Sequence, residues 1–149
     1  MQNTIKDCIF DTIIESTLNA ENMLVKISTT EGNVKRLPAA DLPLQLRQVD
    51  PNLKNTALYV FTPKDSVYEI LVGDNFLGIK AKQYNSWEDF FNFIQDIYNP
   101  LLEQNIIINI KRIGMRYINL ITDLQTPIKH IKDFNENDKI YCTFQNCER

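Results

Sequence analysis

The fold is decided by the stretch Ile106-Ile-Ile-Asn-Ile-Lys-Arg-Ile-Gly-Met-Arg-Tyr-Ile-Asn-Leu-Ile121. Its many β-branched and apolar residues predict a β-strand near the middle of a sheet. Side chains alternate between the two faces of a strand, so Arg112, Gly114 and Arg116 share one face if no bulge interrupts the strand. Neither face is wholly apolar, which is unusual for so hydrophobic a segment.

The same strand carries the candidate binding residues. Gly114 leaves a gap in which Arg112 and Arg116 could converge on one anion, a carboxylate or a phosphate, with bidentate geometry. Tyr117 and Asn119 could extend this polar site. For these residues we favour a structural interpretation over an anion-binding site, because ion pairs that only stabilise a fold resemble binding sites. It predicts that both arginines pair with acidic neighbours and that Gly114 lets the preceding helix sit close.

The segments before this strand predict an antiparallel meander followed by a helix. Ala57–Thr62, Val67–Val72 and Phe76–Lys82 are rich in strand-forming residues and are separated by turn signals. Residues 86–104 have apolar side chains at spacings of three and four, which predicts an amphipathic helix that Ser86 caps. We therefore predict an α+β fold of two layers, a mostly antiparallel sheet of about five or six strands with this helix packed on it.

The two ends of the chain give weaker signals. Residues 1–18 suit a helix or a strand, and only the family resemblance given below favours a strand for Ile9–Glu15. Residues 23–29 could form a strand or a short helix capped by Asn19, and both alternatives stay open. In residues 37–55, Asp41 is expected to cap a short helix that Asp50-Pro51 ends. A helix over 126–133, a turn over 135–138 and a strand over 139–144 complete the predicted elements.

Composition limits the class of protein. The 149 residues suit a single domain, and 44% hydrophobic with 23% charged residues is ordinary for a globular protein. The net charge of −3 argues against a nucleic-acid binder, which normally has excess Lys and Arg. The N-terminus has no signal peptide pattern, and no apolar run is long enough for a membrane span, so we expect a cytoplasmic protein. Cys8, Cys142 and Cys147 lack metal-ligand spacing and predict free thiols.

No motif for catalysis, a metal or a cofactor is found. His130 is the only histidine, and a lone histidine among lysines is a poor general base. Asp133, Glu136 and Asp138 resemble half of a calcium loop but lack its glycine and its closing glutamate. Phosphate-binding and dinucleotide-binding glycine patterns are missing as well. We expect no metal and no cofactor.

Three segments resemble a sporadically distributed bacterial family of uncharacterised proteins. They are Leu46-Arg-Gln-Val-Asp-Pro-Asn-Leu53, Trp87-Glu-Asp-Phe90 and Arg112-Ile-Gly-Met-Arg-Tyr-Ile-Asn119, the last matching the family's R-I-G-[LM]-R-Y-[IV]-N signature. Members of that family are usually longer, so the resemblance implies a short member or the N-terminal part of a longer architecture. An exposed sheet edge would follow, with a partner chain or a second copy to cover it. A mobile or defence-related bacterial role is the biological setting that the resemblance implies.

Three functions are compatible with these patterns. The first is a non-enzymatic binding or protein-interaction module that presents Arg112, Arg116, Tyr117 and Asn119 to an anionic ligand or an acidic partner. The second is a small-molecule-binding or enzymatic domain with a pocket between helix and sheet. Its lining residues would be Tyr84, Trp87, Phe91 and Tyr117. Nucleic-acid binding is the third and the least expected of the three.

Overall fold

The computed structural model describes residues 3–121, and the side chains of residues 7–118. It contains a six-stranded antiparallel sheet with helices, so the predicted α+β class is confirmed. The strands are β1 Asn3–Ser16, β2 Gly32–Arg36, β3 Tyr59–Pro63, β4 Tyr68–Val72, β5 Phe76–Ala81 and β6 Ile107–Ile121. The helices are α1 Ala20–Ile27, α2 Leu44–Val49, α3 Pro51–Lys54 and α4 Trp87–Glu103, with a 3-10 turn at Pro38–Asp41.

The strand order is β2-β3-β4-β5-β1-β6, with antiparallel pairing between neighbours. The expected position of the 106–121 strand near the sheet middle is wrong for the described residues, because β6 is the outermost of their six strands and β1 lies between β5 and β6. Apolar composition predicts a strand but does not tell the edge from the centre. The polar residues on both faces of β6 are typical of an edge strand.

The meander and the main helix are where the sequence predicts them. β3, β4 and β5 pair consecutively. Ser86 caps α4 by accepting the Asp89 backbone N–H at 3.1 Å, and the helix runs through Pro100 to Glu103. Asn19 caps α1 by accepting the Asn22 N–H at 2.9 Å, so the helix interpretation of this segment is confirmed.

The hydrophobic core lies between α4 and one face of the sheet, here called the helix face. Phe90, Ile94, Tyr98 and Leu101 of α4 are buried. The sheet contributes alternate residues, as period-two packing requires. They are Cys8, Thr12 and Ile14 of β1 with Leu77, Ile79 and Ala81 of β5. α1 lies beside α4, since Ile27 and Leu101 line one groove.

Two hydroxyls are buried in this core and share one acceptor. Tyr98 Oη donates to the Leu77 carbonyl at 2.7 Å, and Thr12 Oγ1 reaches the same carbonyl at 2.8 Å. The two hydroxyl oxygens are 2.9 Å apart. Burial raises the pKa of Tyr98. The pair fixes α4 against β1 and β5 without leaving either hydroxyl unbonded.

The arm between β2 and β3 differs from its prediction in detail. Asp41 ends the 3-10 turn and does not cap a helix, and Pro43 takes the cap position of α2. Asp50-Pro51 does end α2, and the Asp50 carboxylate then accepts the Asn52 N–H at 2.9 Å as the cap of α3. Proline at the first helical position allows this, since its missing N–H has no partner there.

A buried arginine holds the arm to the rest of the domain. Arg47 of α2 has a 5% exposed side chain and donates to both carboxylate oxygens of Asp74 at 3.2 Å. It also contacts Glu21 of α1 at 3.3 Å, and Tyr59 Oη donates to Glu21 at 2.7 Å. Asp74 in turn accepts the Ala20 N–H at 2.9 Å. The cluster ties α1, α2, β3 and the β4–β5 turn together.

The charges in this cluster set the pKa of Glu21. Partial burial of the carboxyl raises its pKa, but the hydrogen bonds from Tyr59 and Arg47 outweigh burial and hold the pKa below its ordinary value. A lowered pKa means that the folded chain prefers the carboxylate. The resulting stability is present above the ordinary pKa of Glu21 and is lost as pH falls through the lowered one.

Several predicted features lie outside the described residues or have no counterpart among them. The elements predicted over 126–133, 135–138 and 139–144, with His130 and the half calcium loop, lie outside the described part of the chain. Between residues 3 and 121, no helix is long and apolar enough to cross a membrane, and no three potential metal ligands cluster. Cys8 is a free buried thiol, as expected.

Replacing Arg47 by Met should strongly destabilise the fold, because Asp74 would be left as a buried carboxylate without its cation. Breaking a buried ion pair from one side costs about 3–5 kcal/mol. The matched control is Arg36→Met, which removes an exposed pair with Asp41 at 2.8 Å and should cost less than about 1 kcal/mol. Urea unfolding followed by circular dichroism measures both, and equal losses in the two variants would contradict the assigned role of Arg47.

Burial raises the pKa of the Cys8 thiol to about 12, against a smaller opposite effect of Tyr117. Iodoacetamide should therefore label Cys8 in the folded chain at pH 8.5 at least about tenfold more slowly than in urea, because only the thiolate reacts. The stability supplied by the neutral thiol is full below its unfolded pKa and is lost as pH rises towards 12. Mass spectrometry of the Cys8 peptide measures the labelling, and equal rates in both states would contradict this burial.

Candidate functional site

The candidate site lies on the sheet face opposite α4, here called the open face. β1 and β6 bring its residues together through their register, in which Ile9, Asp11 and Ile13 lie opposite Arg116, Gly114 and Arg112. The bulges of β6 fall outside the segment 112–116, so the predicted sharing of one face by Arg112, Gly114 and Arg116 is confirmed. At one bulge, Ile13 pairs with Arg112 and Ile14 with Ile110, which leaves Lys111 as the extra residue.

The side chains of this face form an open concavity of about 520 Å³. Both arginines line it together with Asp11 and Gly114. Its other lining residues are Ile13, Asn55 and Phe76, together with the β6 positions Ile113 and Met115, whose side chains belong to the helix face. The concavity therefore combines two cations, one carboxylate, one amide and an apolar wall.

Asp11 is the acidic group of the site. It lies between two glycines, since Gly78 of β5 and Gly114 of β6 are its cross-strand partners. A Cβ at Gly114 would stand 2.6 Å from Asp11 Oδ1, so the absence of a side chain at Gly114 makes room for the carboxylate. The other oxygen, Oδ2, accepts a hydrogen bond from Arg116 Nη2 at 3.1 Å.

The two arginines differ in the contacts that their side chains make within the described structure. Arg116 makes one contact with Asp11 and its side chain is 53% exposed, so its remaining N–H groups are available to a ligand. Arg112 is exposed, and within residues 3–121 it makes no hydrogen bond or ion pair. Within residues 3–121, Arg116 has the acidic partner that the structural interpretation predicts, whereas Arg112 has none. The structural interpretation fails for Gly114, which faces Asp11 and not the Trp87 helix.

Tyr117 lies on the face of the sheet opposite the arginines. Tyr117 pairs with Cys8 of the helix face and packs edge-to-face on Tyr84 at 5.9 Å. Asn119 pairs with Ile5, and its side chain lies outside the described part of the structure. Of the four residues that the sequence analysis proposes as binding residues, Arg112 and Arg116 line the concavity of the open face.

The aromatic residues of the alternative pocket pack on one another. Phe90 is fully buried, and its ring contacts both Tyr84 and Trp87 at 6.2 Å. Trp87 and Phe91 stack at 5.5 Å on the exposed side of α4. Phe90 thus fills the space that a ligand would need between these residues and the sheet.

Asp11 is the site residue that the sequence analysis does not nominate. It is one of many acidic residues in the chain, although its sequence context carries a signal. A carboxylate inside the apolar run Ile9-Phe-Asp-Thr-Ile-Ile14 is costly in a sheet unless a cation or donors meet it. The sequence gives no means of choosing Arg116 as that cation, because the two residues are 105 positions apart.

No family model matches the sequence, and neither a curated protein nor a solved structure is significantly similar to it. The family resemblance of Arg112–Asn119 stays a prediction. The candidate function is therefore inferred from the geometry of the site.

Replacing Gly114 by Ala should move the Asp11 carboxylate away from Arg116 while the fold is kept, because the atom in the way is the end of a side chain. We expect a loss of less than about 1 kcal/mol in urea unfolding and a changed NMR signal of the Arg116 Nε–H. Gly73→Ala is the control, since its Cβ would stand 2.1 Å from the Thr56 backbone oxygen, and overpacking costs about 1–3 kcal/mol. If the Arg116 signal is unchanged in the Gly114→Ala variant, the assigned contact between Asp11 and Arg116 is wrong.

Proposed function

We propose that this protein is a non-enzymatic interaction module that binds a carboxylate group of an acidic protein segment in the concavity of the open face. The observation that carries this proposal is Arg112, an exposed cation without a polar partner in the described structure, beside a second arginine that is only partly engaged. Arginine presents its donors in a planar fork that matches a carboxylate.

The presence of Asp11 favours a carboxylate over a phosphate. The concavity holds two positive charges and one negative charge, a net charge of one. A singly charged carboxylate is matched by this balance, whereas a phosphate with a charge near two exceeds it and is repelled more strongly by Asp11. The net charge of the whole chain, −3, likewise argues against binding of nucleic acid.

The apolar wall favours a protein segment over a free small anion. Ile13 and Phe76 are cross-strand partners on β1 and β5, and both line the concavity beside Arg112. A side chain or backbone segment next to the bound carboxylate could cover them, and each 100 Å² of apolar area removed from water contributes roughly 2.5 kcal/mol. The mobile or defence-related setting rests on the family resemblance alone.

A capped dipeptide of two glutamates should shift the NMR signals of the Arg112 and Arg116 Nε–H groups on titration. Replacing both arginines by lysine keeps the charge but removes the planar fork, so binding should weaken at least about tenfold. Arg36→Lys is the control, because β2 lies at the opposite edge of the sheet.

Asp11→Asn gives the complementary measurement. It removes the competing carboxylate and releases Arg116, so the dipeptide should bind several-fold more tightly. Two results would contradict the proposal. One is dipeptide binding that the double lysine variant leaves unchanged, and the other is inorganic phosphate that binds more tightly than the dipeptide, which would favour nucleic acid.

A further inference from the structure

The outer edge of β6 is a long stretch of strand backbone with no strand beside it in the described structure. β6 runs over Ile107–Ile121 and pairs with β1 on one side only. Backbone N–H and C=O groups of a strand point alternately to its two sides, so about half of those in β6 face outwards. Such an edge is a template for another extended segment.

The side chains of β6 differ between the two faces of the sheet. On the open face the strand presents Arg112 and Arg116, whereas on the helix face it presents Ile113, which is 63% exposed although it lies opposite the buried Thr12. A segment added outside β6 would place alternate side chains next to these two sets. It would meet cations on one face and an apolar surface on the other.

A second copy of this chain is a poor occupant of the edge. β6 contains Lys111, Arg112 and Arg116 and no acidic residue, so no register of two β6 strands pairs a cation with an acid. An antiparallel pair centred on Gly114 would put Arg112 of one copy opposite Arg116 of the other. Like charges directly opposite each other are destabilising.

We infer that the outer edge of β6 binds an extended acidic segment of a partner protein by strand addition, with acidic and apolar residues alternating along that segment. The acidic residues lie towards Arg112 and Arg116, and the apolar residues lie over Ile113. Strand addition rests on the proposed function, because it assigns the partner's carboxylates to the same two arginines. Main-chain hydrogen bonds supply the affinity, and the alternating side chains supply the specificity.

The competing explanation is that the basic residues only guard the edge. Charged side chains on an edge strand prevent association with other edges, and that role needs no ligand. Basic residues that serve only to prevent association would repel extended segments in general. A docking edge discriminates between them by charge pattern and by the availability of their backbone donors, which an experiment can measure.

The test uses the full chain and a capped nine-residue peptide in which glutamate alternates with valine or threonine. One control peptide has the same composition with its glutamates in a block. A second has the alternating sequence with N-methyl groups on every other amide, which removes the donors of one edge. Isothermal titration measures affinity, and NMR hydrogen exchange measures protection of the β6 amides.

The alternating peptide should bind at least about tenfold more tightly than the block peptide. N-methylation on the pairing edge should weaken binding at least about tenfold, since it removes several main-chain hydrogen bonds at once. Every second amide of β6 should become protected on binding. Ile113→Ser should weaken binding several-fold, whereas Val34→Ser on the far edge strand β2 should not.

Four outcomes overturn strand addition. They are equal binding of all three peptides, no binding of the alternating peptide, β6 amides already protected in a monomer, and a dimer by sedimentation whose β6 amides are protected. The glutamate dipeptide separates this failure from failure of the proposed function. If the dipeptide still binds at Arg112 and Arg116, only strand addition is lost, and if it does not, both proposals are lost.

Discussion

The pairing of β1 with both β5 and β6 is the constraint on which the structure depends. Because side chains alternate along β1, one set of residues enters the core under α4 and the other set forms the open face. Thr12 meets the hydroxyl of Tyr98 in the core, while its neighbour Asp11 reaches Arg116 on the other side. A shift of this pairing by one residue would bury the carboxylate and expose the core. The fold and the site are therefore fixed by the same register.

Two groups of charged residues in the described structure illustrate two uses of arginine. Arg47 is enclosed by Asp74 and Glu21, and all of its described contacts hold secondary-structure elements together. Arg116 has one acidic partner and remains half exposed, and Arg112 has none in the described structure. A fully satisfied buried cation fixes a position, whereas an unsatisfied exposed one retains donors for a ligand. This difference, and not the presence of arginine, separates the structural cluster from the candidate site.

Glycine has a specific purpose in the site. Asp11 has glycine as its cross-strand partner on both sides, and the space beside Gly114 is occupied by the Asp11 carboxylate. On the open face of β6, Arg112 and Arg116 therefore flank the carboxylate of Asp11 from the neighbouring strand β1. The acid lowers the net charge of the concavity and limits the anions that suit it. The signature-like segment is thus explained partly by packing and partly by charge.

The sequence by itself determined the strand nature of residues 106–121, the meander, the cap and apolar stripe of α4, and the shared face of Arg112 and Arg116. These follow from local periodicity and capping, which depend on neighbours within a few residues. Only the tertiary structure decided that β6 is an edge, that Arg47 is buried, and that Asp11 meets Arg116 while Tyr117 lies on the other face. Those facts depend on which distant strands pair, and the pairing of β1 with β6 joins residues about a hundred positions apart. Composition alone cannot specify such long-range contacts, because an apolar strand is equally compatible with the edge and the centre of a sheet.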